Sequence, residues 1–98
     1  MAYDLKLPKA LAKAGWKVKI RDKERLEEPH VTIIKGTLCW RIGLRSRDFL
    51  DEGRWKDFPD TLRESIEADW TLLCQEWDAL YPANPVPVEE ETSDDEGN

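Results

Sequence analysis

Residues 29–44 read PHVTIIKGTLCWRIGL, and this stretch decides the fold. Two apolar segments flank Lys35-Gly36, a dipeptide that suits a primed two-residue turn because glycine tolerates a positive φ. A hairpin folded there has these predicted cross-strand pairs: Ile34 with Thr37, Ile33 with Leu38, Thr32 with Cys39, Val31 with Trp40, and His30 with Arg41. A slip of one residue would move every apolar side chain to the opposite face, so the register is well specified.

A further strand precedes the hairpin. Residues 16–21 read WKVKIR, which alternates apolar and basic side chains with the period of two that marks a strand buried on one face. Pro29 is acceptable as the first residue of the next strand, where a missing N–H matters least. The strand after the turn is expected to run from Thr37 to about Leu44. We expect the three strands to lie side by side in chain order.

Two predicted helices flank these strands. Residues 7–14 read LPKALAKA, with apolar residues on one side and Gly15 just past the end. The second helix is indicated by apolar residues spaced three or four apart, which form one stripe: Leu62, Ile66, Trp70, Leu73, Trp77 and Leu80. Thr61 and Glu64 have the spacing of a capping box, although an earlier aspartate could cap instead, and Pro82 marks the end.

The fold class that follows is α+β, in two layers and in the order α-β-β-β-α. It has a three-stranded antiparallel sheet with both helices on one face, because the apolar side of the sheet is the only surface that can bury their apolar stripes. The 98 residues suit one domain, which we place at residues 1–82. Residues 83–98 are rich in acids and poor in apolar side chains, and are expected to form a disordered acidic tail.

Charge is divided unevenly along the chain. The net charge is -6, yet residues 1–48 hold 12 Lys and Arg against 6 Asp and Glu, whereas residues 49–84 hold 3 against 9. The predicted domain is therefore neutral but polarised, and the tail carries the excess. The helix face opposite the stripe is expected to be acidic through Asp60, Glu64, Glu67 and Asp78. The tail could also lie across the basic face of the sheet as a competitor for phosphate.

Cationic side chains gather on the predicted open face of the sheet, as candidates for contact with a partner: Lys17, Lys19, Arg21, Arg41 and Arg45. Any contact with nucleic acid would be to its backbone, because the strand tryptophans point inward and cannot stack on bases. The same charges could simply keep an open sheet from aggregating. Trp55, which lies in a loop, is expected either to cap the core edge or to anchor a partner.

Two parts of the sequence resemble known families. Residues 9–16, KALAKAGW, with the elements that follow them, resemble the HicA toxins over about residues 7–70. This resemblance implies a fold similar to double-stranded-RNA-binding domains, cleavage of messenger RNA, and a catalytic role for His30, which matches the histidine opening that family's second strand. Pro29-His30 and Trp77 also resemble a family of small uncharacterised bacterial proteins with a Pro-His strand start and a late helix.

His30 is the only histidine of the chain, and imidazole is well suited to proton transfer near neutral pH. Arg41, across the predicted ladder, could stabilise charge that develops on a phosphate. Together they are the catalytic candidates of a metal-independent endoribonuclease. The alternative is a half-exposed strand histidine bonded to a neighbouring backbone or carboxylate group, and no second acid or base is evident.

The sequence leaves two functions open. The first is a small bacterial or phage protein that docks a macromolecular partner through its basic sheet face or its acidic helix face, as a component of a toxin–antitoxin-like system and without enzyme chemistry. The second is the endoribonuclease. The partner would be a protein or an RNA backbone and not a membrane, and the chain would be a monomer or a homodimer. No cofactor or metal is expected. Cys39 and Cys74 lack a CxxC spacing and are interpreted as ordinary thiols of a cytoplasmic protein.

Overall fold

The computed structural model describes residues 3–21 and 27–86. In chain order the elements are β1 (Tyr3–Asp4), α1 (Lys9–Lys13), β2 (Trp16–Ile20), β3 (His30–Lys35), β4 (Leu38–Gly43), a 3₁₀ helix (Trp55–Asp57), α2 (Asp60–Ala68) and α3 (Trp70–Leu80). The α+β class is confirmed. None of the helices in this part of the chain has the length and apolar character needed to cross a bilayer.

The sheet is antiparallel and has four strands in the order β1-β2-β3-β4, so the prediction of three strands is wrong. The additional strand, β1, pairs Tyr3 with Ile20 and Asp4 with Lys19. Two residues are too few to show a period of two, which is why the sequence pattern did not reveal this strand. The three predicted strands are β2, β3 and β4, and their order in the sheet is confirmed.

The hairpin turns one residue later than predicted. Its turn residues are Gly36, with φ +62°, and Thr37, and Lys35 pairs with Leu38 as the last rung of the ladder. Glycine at the first turn position with a positive φ is the arrangement of a type II′ turn. The predicted turn would have put lysine at that first position, where a side chain is strained.

The later turn changes the partner of every strand residue. Arg41 lies opposite Thr32 and His30 lies opposite Gly43, so the predicted pairing of His30 with Arg41 is wrong. Each partner moves by two positions, and an even shift leaves the facing of the side chains unchanged. The inward face therefore remains apolar.

One apolar core joins the sheet to the helices. Val18, Ile33 and Ile42 of the sheet are at most 1 % exposed, and they share the core with the predicted helical stripe. Five members of that stripe are buried: Leu62, Ile66, Trp70, Leu73 and Trp77. The stripe is confirmed for these five, because their spacing brings them to one side of the helical segments.

The predicted late helix is two helices. Asp69 has φ -108° and ψ +22°, outside the α-helical region, and it separates α2 from α3. The predicted capping box is absent, since α2 begins at Asp60 directly after Pro59 and has no side-chain cap. The first helix is also shorter than predicted, because α1 covers only residues 9–13.

The chain after β4 folds back along the outer edge of that strand. The N–H of Gly43 donates to the carbonyl of Asp48 at 2.9 Å, and the N–H of Leu50 donates to the carbonyl of Arg41 at 2.8 Å. Phe49 forms a bridge with Ile42. The fold-back covers the backbone groups that an edge strand would otherwise present, and it brings residue 51 next to β4.

The chain after α3 packs on the fold as far as Val86, which is 8 % exposed. Arg45 donates from Nη2 to the carbonyl of Pro85 at 2.6 Å and from Nε to that of Val86 at 3.0 Å. The N–H of Val86 donates to Asp78 Oδ1 at 2.7 Å. Residues 83–86, the start of the predicted tail, are therefore packed; its remainder, residues 87–98, lies outside the described residues.

Candidate functional site

The imidazole of His30 is buried, at 1 % exposure. Its ring centre lies 5.4 Å from that of Trp77 on α3, and its Nδ1 lies 2.7 Å from the carbonyl oxygen of Glu28. Because a carbonyl oxygen only accepts, Nδ1 is the donor in this hydrogen bond. The half-exposed position predicted as the alternative to a catalytic His30 is therefore wrong, since Trp77 packs against the ring at the start of β3. The bond to a neighbouring backbone group that belonged to the same alternative is present.

A line of charged side chains runs outward from His30. Its Nε2 lies 3.8 Å from Glu27 Oε1, and Arg41 Nη1 donates to the same oxygen at 3.2 Å. On the far side, Asp51 accepts from Arg41 Nη2 at 2.9 Å and from Nε at 3.0 Å. A third bond, at 2.9 Å, comes from the backbone N–H of Arg41. We call His30, Glu27, Arg41 and Asp51 the polar cluster.

The hydrogen bonds of the polar cluster shift its ionisation. The side-chain bond with Asp51 raises the pKa of Arg41 above its usual range, and the same bond lowers the pKa of Asp51, because each charged form is stabilised by the other. Arg41 thus has two carboxylates as partners. The sequence predicted that Arg41 stabilises charge on a phosphate. To bind the guanidinium, a phosphate would have to displace Asp51 or Glu27.

The other predicted binding cations do not form one free surface. Lys19 Nζ lies 3.5 Å from Asp4 Oδ1, and Arg45 donates to backbone carbonyls near the end of the described chain. Of the five predicted cations, only Lys17 and Arg21 have side chains without a hydrogen bond or ion pair to another described residue, and both are exposed.

Trp55 lies in the 3₁₀ helix and is half-buried. Its ring centre is 5.1 Å from that of Phe49 and 6.0 Å from that of Phe58. The guanidinium carbon of Arg63 lies 5.3 Å from the same ring. This packing is that of a cap on the core edge, one of the two roles predicted for Trp55.

Sequence reasoning missed Glu27 and Asp51, the two carboxylates that hold Arg41. Glu27 falls in a charged connection and Asp51 in an irregular loop, so neither has a periodic pattern that would place it. Asp51 is ten residues from Arg41 and reaches it only because the chain folds back along β4. A negative charge after the predicted strand was a weak signal, since many loop acids are simply solvated.

A groove also opens between α1 and β2, with a volume of about 250 Å³. It is lined by Asp4, Leu5, Leu7, Ala12, Trp16, Lys17, Val18 and Lys19. Four exposed lysines belong to the stretch of chain that contributes most of this lining, and one of them, Lys17, lines the groove itself. We call these four the lysine edge: Lys6, Lys9, Lys13 and Lys17. None of these four forms an ion pair with another residue in the described ranges.

Among residues 3–21 and 27–86, no group of three or more His, Cys, Asp or Glu side chains could hold a metal ion. Cys39 and Cys74 are free thiols, and burial raises the pKa of Cys74, which disfavours the reactive thiolate. Comparison of the chain with protein-family models, with curated proteins and with solved structures gave no match.

Proposed function

We propose that this chain is a small binding protein that docks a protein partner, as one component of a toxin–antitoxin-like system, and that it catalyses no reaction itself. The polar cluster is the observation that carries this proposal. A general acid or base must come within hydrogen-bond reach of the proton that it transfers, and His30 is 1 % exposed. Arg41, the candidate charge stabiliser, is bound by Asp51 and Glu27.

The distribution of charge supports docking. The lysine edge lies on α1, β2 and the chain between β1 and α1, whereas α2 exposes Asp60, Glu64 and Glu67. Charged surfaces of opposite sign accelerate and orient encounters between proteins. A protein with both surfaces can bind a partner without a catalytic centre.

A comparison of the wild-type chain with His30→Gln separates docking from RNA cleavage. Docking predicts that neither purified protein cleaves a labelled single-stranded RNA, and that any effect of expression on bacterial growth is the same for both. Circular dichroism and a thermal melt establish that the variant is folded. RNA cleavage by the wild type that is lost in folded His30→Gln would contradict the proposal and favour a ribonuclease.

A second experiment tests directly whether the chain forms a complex with the product of an adjacent gene. If a neighbouring open reading frame encodes a small DNA-binding protein, co-expression of the two chains should give one complex that co-elutes in size-exclusion chromatography. Docking predicts that this complex weakens as salt is raised, because charge screening reduces attraction between exposed groups. Separate elution of the two folded chains at low salt would contradict this pairing.

A further inference from the structure

The groove between α1 and β2 makes the docking function more specific. We propose that this groove binds an acidic segment of the partner protein, which inserts one or two aliphatic side chains into the groove and places carboxylates beside the lysine edge. This inference rests on the proposed docking function. It names the surface used and the chemistry of the segment recognised.

The floor of the groove is apolar and already formed. Leu5 is 6 % exposed, Val18 is 1 % exposed and Trp16 is 8 % exposed, so these side chains are held in place by the core. Half-buried Leu7 and exposed Ala12 line it as well. A volume of about 250 Å³ lies below the roughly 300–1,000 Å³ of typical small-molecule pockets. The groove therefore suits one or two side chains of a peptide better than a cofactor.

The charge around the groove favours an acidic ligand. Residues 5–21 contain five lysines and one arginine and no acid. Asp4 is the acidic residue that lines the groove, and it already pairs with Lys19. The lysine edge is left without a carboxylate partner among the described residues. Carboxylates on a docked segment would supply the opposite charge, and they would also select against basic segments.

A peptide fits the groove better than a nucleic acid does. A phosphate backbone would contact the lysines but has no apolar group to fill the groove, and stacking of bases requires an exposed aromatic face. Trp16 offers no such face, since it is 8 % exposed and Lys35 Nζ lies 4.8 Å from its ring centre.

The acidic end of this chain is a poorer occupant. Residues 87–98 read PVEEETSDDEGN, and beyond Val88 they contain no Ala, Val, Leu or Ile. Val88 follows Val86 by two residues, which span at most about 7 Å. Val86 is held by Arg45 and Asp78, and neither of these lines the groove. The segment could contact lysines, but beyond Val88 its sequence offers nothing that would fill the groove.

Binding of short fluorescein-labelled peptides to the full chain tests the inference by fluorescence anisotropy. One peptide is rich in glutamate and carries two leucines; a second replaces both leucines with serine; a third replaces the glutamates with lysine. We expect the first to bind about tenfold more tightly than the serine peptide, because burial of an aliphatic side chain contributes at least about 1.4 kcal/mol. The lysine peptide should not bind.

Two pairs of matched variants locate the site. Ala12→Trp fills the groove, whereas Ala79→Trp makes the same change at an exposed position of α3; we expect about a tenfold loss of affinity in the first only. Lys17→Glu reverses a charge beside the groove, and Lys56→Glu does so in the 3₁₀ helix. The Lys17 variant should bind the acidic peptide several-fold more weakly, with the Lys56 variant unchanged.

The remaining outcomes overturn the inference in different ways. Equal affinity for the leucine and serine peptides, or unchanged binding by Ala12→Trp, would mean that charge alone holds the peptide outside the groove. Tighter binding of a single-stranded RNA probe would replace the peptide with nucleic acid. Tighter peptide binding by a chain that ends at Val86 would identify the chain's own acidic end as the occupant. Absence of binding by every probe would contradict the inference that the groove is a binding site. The docking function would fail as well only if the chain also showed RNA cleavage that depends on His30.

Discussion

The polar cluster and the lysine edge are both rich in charge, yet they differ in how much of that charge a partner could reach. In the polar cluster, Arg41 donates to Asp51 and Glu27, and His30 is buried against Trp77. On the lysine edge, four exposed ammonium groups have no carboxylate partner in the described ranges. The facing of a strand residue therefore tells which side of the sheet it occupies, whereas its availability depends on residues distant in sequence.

Removal of the side chain that packs on the polar cluster should have the largest effect. Trp77 is fully buried, packs on His30 and donates from Nε1 to the carbonyl of Asn84 at 2.7 Å. We expect Trp77→Ala to lower the free energy of unfolding by about 3–5 kcal/mol, as for other buried aromatic truncations. Urea denaturation followed by circular dichroism measures the loss. Trp55→Ala, at a half-buried position, should cost clearly less; equal losses would contradict a special role for the packing on His30.

Removing one cation from the polar cluster and one from the lysine edge compares the two regions directly. Arg41→Ala removes three side-chain hydrogen bonds to carboxylates and should cost about 1–2 kcal/mol, allowing for the partial exposure of the guanidinium. Lys17→Ala should change stability by no more than about 0.5 kcal/mol, since its side chain is exposed and unpaired among the described residues. Urea midpoints of the two variants provide the test. Equal, small effects would show that the hydrogen bonds of the polar cluster contribute little.

The contribution of the polar cluster to stability should also depend on pH. The bond with Arg41 lowers the pKa of Asp51 below its ordinary 3.8. Ionised Asp51 therefore contributes stability that is fully present above pH 3.8 and is lost as the pH falls through the lower folded-state value. The stability difference between wild type and Asp51→Asn should be constant from neutral pH to about 4 and should shrink below that.

Denaturation at a series of pH values measures this difference. Glu52→Gln, an exposed carboxylate next to Asp51 in sequence, is the matched control and should differ little from wild type throughout. A stability gap for Asp51→Asn that widens on acidification would reverse the sign expected from the lowered pKa. Such a result would indicate that the carboxylate is destabilising in the folded protein.

A small loss is expected when a single exposed ion pair on a helix is broken. Arg63 Nε donates to Glu67 Oε2 at 3.0 Å, and both side chains are about half exposed. Glu67→Gln should cost only about 0.3–0.5 kcal/mol, the usual value for an exposed pair four residues apart, and it leaves the contact of Arg63 with the Trp55 ring in place. Its urea midpoint sets the scale for a single ion pair. A loss as large as that of Arg41→Ala would mean that the additional bonds at Arg41 add nothing.

Periodic patterns predicted the parts of this fold that depend on neighbours in sequence. The alternation of residues 16–21 identified β2, and the spacing of apolar residues identified the buried side of α2 and α3. The turn was misplaced because Lys35-Gly36 and Gly36-Thr37 both contain the glycine that a primed turn needs, and only the order of φ values distinguishes them. Asp69 interrupts the late helix although it leaves the apolar spacing intact, so the spacing could not reveal the break.

The candidate site was less predictable because it is assembled from distant segments. Asp51 reaches Arg41 through the fold-back after β4, and Trp77 reaches His30 from α3, 47 positions further along the chain. Neither contact has a local signature, since any loop acid or helical tryptophan could have packed elsewhere. The groove was missed for the same reason: Leu5 precedes the first predicted helix and Leu7 begins it, and neither showed a pattern that would join it to β2.

Residues made late in synthesis hold the segments that follow β2 and precede β3. The Tyr81 hydroxyl donates to the carbonyl of Arg21, and the Asn84 amide donates to the carbonyl of Glu27 at 2.7 Å, so segments about sixty residues apart meet there. A nascent chain has made every strand and helix of the described residues before these donors leave the ribosome. Translation that stops at Leu80 should therefore release a protein that cannot finish folding and that quality-control proteases would degrade.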